Sequence, residues 1–350
     1  MILSVTPRTR IAIKPRVFGG GYAVHRGIPE CYDVPMSIYL GFDSHVFDYI
    51  LAEPALLRAQ LIEYLTEAPH QLLISAVNVL EGACCPTADK RAALLRLMFQ
   101  LSGGCRPLAL AGDLFRSEID TYALSQTSAT ITIAEEQEGL WIALNAPEEI
   151  EQADIEDANR YRAEQECEFR QMYENARPHF QEVLGAAAAK GITRASRLIR
   201  HFRNDEKFLE STVDYFIQVS PLAHRLKGRE LDFLQNMPGW QSFFLANAAA
   251  VYLRCIQAQN YGHKKNPGYF DLSQAVYLPR CHVYVTQDDS LRKVLRLVAV
   301  AMQERPQILS YSQFREIVVR GYDPPRWQTF QDKGFRFNPS SRHAQEACLT

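Results

Sequence analysis

The sequence lacks several features that would assign it at once to a class of protein. It has no Cys-x-x-Cys pair, and its adjacent Cys84 and Cys85 suit neither a zinc site nor an ordinary disulfide. No apolar run approaches transmembrane length, and the N-terminal segment has no long apolar stretch of the kind found in secretory signals. These absences predict a cytoplasmic protein with reduced thiols that does not enter a membrane.

An excess of charge of one sign is also missing. The chain has 38 Lys and Arg against 40 Asp and Glu, which gives a net charge of -2. This balance excludes a chain-wide polyanion binder, so any contact with nucleic acid needs a local basic patch. The 350 residues are enough for one large α/β domain with an insertion, or for two domains.

Short apolar runs alternate with amphipathic runs in two separate parts of the chain. SIYLGF and QLLISAV are each followed by a helix-like segment. Far downstream, the sequence predicts a helix at 271–279, a strand at 282–286, a helix from 289 to about 303 and a last strand in ILSY. This alternation is typical of a parallel sheet covered by helices.

The middle of the chain has a different character. Residues 147–260 contain almost nothing strand-like, and they predict four or five helices with breaks near Gly191, Pro221 and Pro238. Just before them, SATITIAEE and EGLWIAL predict a β-hairpin, or a strand and its neighbour. We interpret the middle region as a helical insertion between two parts of one α/β core.

These patterns divide the chain into five segments. They are an N-terminal extension at 1–35, a first core part at 36–146, the helical insertion at 147–265, a second core part at 266–334 and a flexible tail at 335–350.

Four acidic residues stand where a strand-like run gives way to a helix-like run: Asp43, Glu81, Asp271 and Asp288. For each one alone, helix capping is the simpler explanation, and Glu81 follows Asn78 at the spacing of a capping box. Together they favour a shared site, because the carboxyl ends of parallel strands meet at one edge of a sheet, where ligands bind. Capping does not exclude such a role.

Carboxylates that crowd together repel one another unless a cation neutralises them or some are protonated. An all-oxygen donor set favours Mg²⁺ or Mn²⁺ over Zn²⁺, and such ions can drive phosphodiester hydrolysis. We predict Asp43 and Asp288 as the main ligands and Glu81 and Asp271 as the rest of the cluster. Asp289 replaces Asp288 if the turn is shifted by one residue.

The same segments resemble those of a known family. DLSQAVYLPRCHVYVTQDDSL is similar to the C-terminal signature of PIN-like domains, IYLGFDSHVF and LLISAVNVLEG to the family's first two strands with their acids, and QILSYSQFREIV to its closing strand and helix. The resemblance covers roughly residues 36–100 and 266–320. It implies a three-layer α/β/α core with a mainly parallel sheet, and a Mg²⁺- or Mn²⁺-dependent nuclease, often acting on RNA. Asp43, Glu81, Asp271 and Asp288 then map onto the family's catalytic acidic cluster.

Basic residues near these acids are candidates for phosphate contact. They are Arg197 and Arg200 in the stripe TRASRLIRHFR, and His263, Lys264 and Lys265 in HKKNP. A solvated helix face that pairs with nearby glutamates is an alternative for the arginine stripe. The resemblance adds Ser44, whose hydroxyl stands where the family often has a threonine.

Two interpretations of function stay open. The first is a metal-dependent endonuclease that cleaves RNA, with single-stranded RNA as its substrate. The second is a catalytically silent PIN-like module that binds RNA or a protein partner, and it is favoured by Ser44-His45, which follow Asp43 where the family often has Thr-Asn. The sequence leaves open the oligomeric state, including a homo-oligomer, and whether the insertion is a lid, a dimer surface or a sensor.

Overall fold

The structure is a computed structural model and describes residues 38–67, 69–124, 138–190, 197, 220–256, 267–302 and 306–320. The predicted N-terminal extension at 1–35 and the predicted tail at 335–350 lie outside the described residues. The segment SATITIAEE, the first half of the predicted hairpin, also lies outside them.

Four strands of the described residues form one parallel sheet: β1 Ile38–Phe42, β2 His70–Leu73, β3 Val283–Val285 and β4 Gln307–Leu309. Their order is β2-β1-β3-β4, and the register places Leu40 opposite Leu72 on one side and Val283 on the other. The strands and their parallel pairing confirm the prediction of an α/β fold with a parallel sheet.

Helices make up most of the described structure and follow or precede each strand. They are α1 Ser44–Ala52, α2 Ala55–Thr66, α3 Ala76–Ala83, α4 Ala88–Leu101, α5 Ala111–Ala123, α6 Glu138–Asn145, α7 Gln152–Ala189, α8 Glu230–Asn236, α9 Pro238–Ile256, α10 Tyr269–Ser273, α11 Asp289–Ala301 and α12 Tyr311–Arg320. Short 3-10 turns lie at Pro147–Glu149, Ala223–Leu226 and Gln274–Arg280. Across the described ranges, none of these helices combines the length and the apolar character needed to span a membrane.

The central strand β1 is covered on both faces. Leu40 and Phe42 on one face are each 1% exposed, and Gly41 on the opposite face is also buried, as in a strand inside a parallel sheet. Gly41 is needed for this packing, because a Cβ there would lie 2.6 Å from Cys281 Sγ and 2.8 Å from a ring carbon of Tyr284. The close approach brings β1 and β3 together at the middle of the sheet.

Helix α9 belongs to the region predicted as an insertion, yet it packs against the 3-10 turn Gln274–Arg280 and against α11. Its Trp240, Phe243 and Phe244 are buried, as expected for a core face. The helix begins at Pro238, a first-turn position that proline favours because its missing N–H is not needed there. The insertion therefore shares a hydrophobic core with the sheet.

The predicted strand EGLWIAL is wrong, because this segment forms helix α6. Leu140, Ala143 and Leu144 are buried at helical spacing, whereas Ile142 is 43% exposed. A strand would have placed Leu140, Ile142 and Leu144 on the same face. The helical period of burial therefore overrides the β-prone composition.

The predicted helix at 271–279 forms as two pieces. Helix α10 begins two residues earlier, at Tyr269, and is followed by the 3-10 turn Gln274–Arg280. Pro279 lies inside that turn and cannot donate a backbone hydrogen bond, which fits the end of regular helix before it.

Candidate functional site

The carboxyl ends of β1 and β3 form the centre of the candidate site. From β1 the chain proceeds to β2 on one side, and from β3 it proceeds to β4 on the other, so the strand order reverses between the two central strands. Ligands of open parallel sheets bind in the crevice at such a switch point. Asp43 directly follows β1, and Thr286 directly follows β3.

Asp43 lies at this edge of the sheet and is 1% exposed. It occupies the N-cap position of α1, but its side chain makes no capping hydrogen bond, contrary to the capping expectation. Instead, Oδ2 accepts a hydrogen bond from the Thr286 hydroxyl at 2.9 Å. Within the described residues, Oδ1 is buried and has no hydrogen-bond partner.

Glu81 reaches the crevice from α3 and is not part of a capping box. The capping box of α3 consists of Ser75 and Asn78, so Glu81 stands well inside the helix. Burial raises the pKa of Glu81, while a hydrogen bond from Ser44 and the charge of Arg162 lower it. Arg162 Nη2 lies 3.2 Å from Glu81 Oε1, and the Glu81 side chain is 11% exposed.

Asn78 joins these elements at the base of the site. Its side-chain amide donates to the carbonyl of Phe42 at 3.0 Å and to Ser44 Oγ at 3.1 Å, while its Oδ1 accepts from the Ser75 N–H at 2.9 Å. Ser44 in turn hydrogen bonds to Glu81. A single buried amide therefore fixes the end of β1, the start of α3 and the hydroxyl beside Glu81.

Asp271 stands in the first turn of α10 rather than at its N-cap position. Its Oδ2 accepts a hydrogen bond from the Gly268 N–H at 2.8 Å. The pKa of Asp271 is raised to about 7, mainly by burial; the Gly268 hydrogen bond works against this shift, and the carboxylates of Asp43, Glu81 and Asp288 add to it. The four acids predicted from distant segments therefore act on one another electrostatically.

Asp288 lies at the exposed rim and caps α11, as expected, by accepting from the Leu291 N–H at 2.8 Å. Its own N–H donates to Thr286 Oγ at 3.1 Å. The alternative acid, Asp289, has a side chain that is 73% exposed and pairs with Arg292 in the same helix. The turn thus connects the Asp288 backbone to Thr286 and leaves the Asp289 side chain in solvent.

Two cationic side chains face the carboxylates. His45 is 66% exposed, and its Nδ1 lies 3.7 Å from Asp43 Oδ2. The pKa of His45 is raised to about 9, mainly by its contact with Asp43; burial works against this shift, and Glu81 and Asp271 add to it. Together with Arg162, the imidazolium offsets part of the negative charge of the crevice.

The candidate residues for phosphate contact are only partly described. Ser44 lies in the site, where it accepts from Asn78. Arg197 is exposed. Arg200, His263, Lys264 and Lys265 lie outside the described residues. Their predicted roles therefore stay predictions.

The donor chemistry of the crevice fits Mg²⁺ or Mn²⁺, because its acids supply only oxygen and one buried carboxylate oxygen of Asp43 has no hydrogen bond. These oxygen atoms do not form a complete coordination site, however. In the described part of the chain, no three Asp, Glu, His or Cys side chains are grouped closely enough to hold a metal ion. The acids instead use protein partners, such as Arg162 for Glu81 and Gly268 for Asp271.

Comparisons of the chain with known protein families, with curated proteins and with solved structures found no match.

Several residues of the site escaped the sequence interpretation. Thr286 lies two residues before Asp288, where no sequence pattern assigns it a role, and Asn78 forms its capping box with Ser75 and not with Glu81. Arg162 stands in a long helix rich in glutamate and arginine, where no local pattern singles it out. Its contact with Glu81 depends on how α7 packs.

Proposed function

We propose that this crevice binds Mg²⁺ or Mn²⁺ and hydrolyses phosphodiester bonds in single-stranded RNA. The observation that carries the proposal is the buried Asp43 oxygen without a hydrogen bond, in a crevice that the carboxyl groups of Glu81, Asp271 and Asp288 share. An unpaired carboxylate oxygen in a buried site is costly unless a ligand satisfies it. The switch-point location supports a ligand site independently.

We also propose that the core has the PIN-like α/β/α arrangement and that the protein is cytoplasmic. A parallel sheet, with acids at the carboxyl ends of its central strands and helices around it, supports a PIN-like α/β/α core. A cytoplasmic location belongs to the same proposal, and the five cysteines described as free are compatible with a reducing compartment.

The protein's own residues divide into ligands and positioning groups. Asp43 and Asp288 are the proposed main ligands, and Thr286 holds both through its hydroxyl group. Glu81 and Asp271 complete the cluster, and Ser44 orients Glu81. When bound, the cation supplies Lewis-acid activation of water and stabilises negative charge on the leaving oxygen.

His45 is suited to contact the substrate. It is exposed beside Asp43, and in the metal-free protein its contact with Asp43 raises its pKa to about 9. A cation next to an acidic cluster attracts the phosphate oxygens that the cluster alone would repel. Its position therefore favours a substrate with a phosphodiester backbone.

The test is cleavage of end-labelled single-stranded RNA with Mn²⁺ and with EDTA. We expect cleavage only with the cation and a loss of at least about 100-fold in Asp43→Asn and Asp288→Asn, since each removes charge that holds the ion. Asp289→Asn is the matched control, because it removes the neighbouring exposed charge. Equal activity in Asp43→Asn and the wild type would exclude this site.

A second candidate function has its own support. Arg162 and His45 already offset the carboxylates without a cation. A module that binds RNA or a protein partner without cleavage would need no metal ion, because these two cations already compensate the carboxylates. For the RNA-binding form, we expect fluorescence anisotropy to detect binding in EDTA at equal affinity in Asp43→Asn, with no cleavage when Mn²⁺ is added. Cation-dependent cleavage contradicts this alternative.

A further inference from the structure

A basic residue of the helical insertion enters the acidic crevice. Arg162 on α7 places Nη2 3.2 Å from Glu81 Oε1, and its side chain is 43% exposed. The Glu81 side chain is only 11% exposed. Because water solvates its carboxylate poorly, the guanidinium of Arg162 is needed to compensate its charge. The ion pair therefore links the insertion to the proposed catalytic cluster.

Helix α7 is anchored next to this ion pair by other contacts. One turn further along, Glu166 Oε1 accepts a hydrogen bond from the Phe270 N–H at 3.3 Å. The rings of Tyr161 and Phe270 pack edge to face with centroids 6.2 Å apart, and those of Phe169 and Tyr269 lie 6.0 Å apart. These contacts hold the helix over α10, so the Arg162 side chain can leave Glu81 without displacement of α7.

We infer that Arg162 is a built-in counter-ion for Glu81, and that a divalent cation binds the crevice in competition with it. The inference rests on the proposed function and adds a regulation of the same site. A guanidinium and a metal ion both neutralise the carboxylate, so each weakens the hold of the other. By linkage, the coupling is reciprocal: cation binding releases Arg162, and a ligand that draws Arg162 away strengthens cation binding.

The experiment measures Mn²⁺ affinity by calorimetry on the full chain. We expect Arg162→Gln to bind Mn²⁺ about fivefold more tightly than the wild type, which corresponds to the value of a partly exposed ion pair. Arg160→Gln is the matched control, since it removes the same charge from the same helix, where Arg160 is exposed and pairs with Asp157. We expect little change from the control.

A second measurement keeps the inference separate from the proposed function. In EDTA, Arg162→Gln should unfold at a lower temperature than Arg160→Gln, and Mn²⁺ should raise its midpoint more than that of the wild type. If the wild type binds Mn²⁺ and Arg162→Gln binds it equally or more weakly, competition is wrong while the cation site stands. If Arg160→Gln raised the Mn²⁺ affinity as much as Arg162→Gln does, the cause would be the change of net charge, and the inference would be overturned. If none of the proteins binds Mn²⁺, the cation site itself is wrong and the competition falls with it.

Discussion

Thr286 donates its hydroxyl hydrogen to Asp43 Oδ2 over 2.9 Å and so connects residues that lie 243 positions apart in the chain. The Thr286 hydroxyl oxygen also accepts a hydrogen bond from the Asp288 N–H at 3.1 Å. One buried hydroxyl therefore fixes two of the proposed ligands relative to each other. It also links the ends of the two central strands.

We predict that Thr286→Val destabilises the fold by about 2–3 kcal/mol, because it removes a hydrogen bond to a buried charged group without a change of shape. The measurement is urea unfolding in EDTA. Thr286→Ser is the control: it keeps the hydroxyl and loses a methyl group, which costs about 1 kcal/mol. Equal losses in the two variants would mean that the methyl group, not the hydrogen bond, matters.

Asn78→Ala should cost about 3 kcal/mol of unfolding free energy, because its amide serves several buried partners. These include the Phe42 carbonyl, 36 positions away, and Ser44. Asn247→Ala is the comparison, since Asn247 donates to the Phe243 carbonyl within its own helix, at 2.9 Å. We expect that control to cost about 1 kcal/mol in the same urea titration. A similar cost at both positions would argue against the bridging role.

Glu118 anchors the start of α9 through two backbone hydrogen bonds. Its carboxylate oxygens accept from the Gly239 N–H at 3.0 Å and the Trp240 N–H at 2.8 Å. Glu118→Gln should destabilise the fold by about 2 kcal/mol, because the amide nitrogen then faces a backbone donor. Thermal unfolding provides the measurement.

The control for this prediction is Glu148→Gln, which replaces an exposed glutamate paired with Arg96. It should cost less than about 0.5 kcal/mol. Burial raises the pKa of Glu118. A cost no larger than that of the control would therefore indicate that Glu118 is already protonated in the folded protein.

Asp271 should make the fold less stable as the pH rises. Its pKa is about 7 in the folded chain against an ordinary value of 3.8, so between these values the unfolded chain is ionised while the folded chain must keep its proton. The loss of stability grows through this range and is complete above pH 7. Asp271→Asn removes it.

In EDTA, the free energy of unfolding of Asp271→Asn minus that of the wild type should therefore be larger at pH 8 than at pH 5. We expect a difference of about 2 kcal/mol, a value reduced from the full pKa shift because the side chain is partly exposed. Urea unfolding at both pH values is the measurement. Asp289→Asn, with its exposed carboxylate, should show no such difference. If Asp271→Asn were more stable than the wild type by the same free energy at both pH values, the raised pKa of Asp271 would be refuted.

The sequence predicted the sheet well because its strands are short, apolar and bounded by polar residues. IYLGF and VYV both form central strands, and both are buried on two faces. EGLWIAL is also a short apolar run, but it forms α6. Its burial follows a helical period that composition alone does not express.

The candidate site was predictable in its acids but not in its supporting contacts. Strand ends locate Asp43 and Asp288, since the edge of a parallel sheet follows from topology. The capping roles assigned to Asp43 and Glu81 were wrong, because their side chains use tertiary partners. Asp271 does cap α10, but it accepts the Gly268 N–H from inside the first turn and not from the N-cap position. Arg162 was not predictable, because its contact with Glu81 depends on the docking of α7.

The pairing of β1 with β3 has a consequence for synthesis on the ribosome. Val283–Val285 emerge long after Ile38–Phe42, and until then β1 has a partner only on the side of β2. Its other edge presents unsatisfied backbone groups that can recruit strands from neighbouring nascent chains. We therefore expect the inner edge of β1 to be the part of the sheet most exposed to wrong pairing until β3 is synthesised.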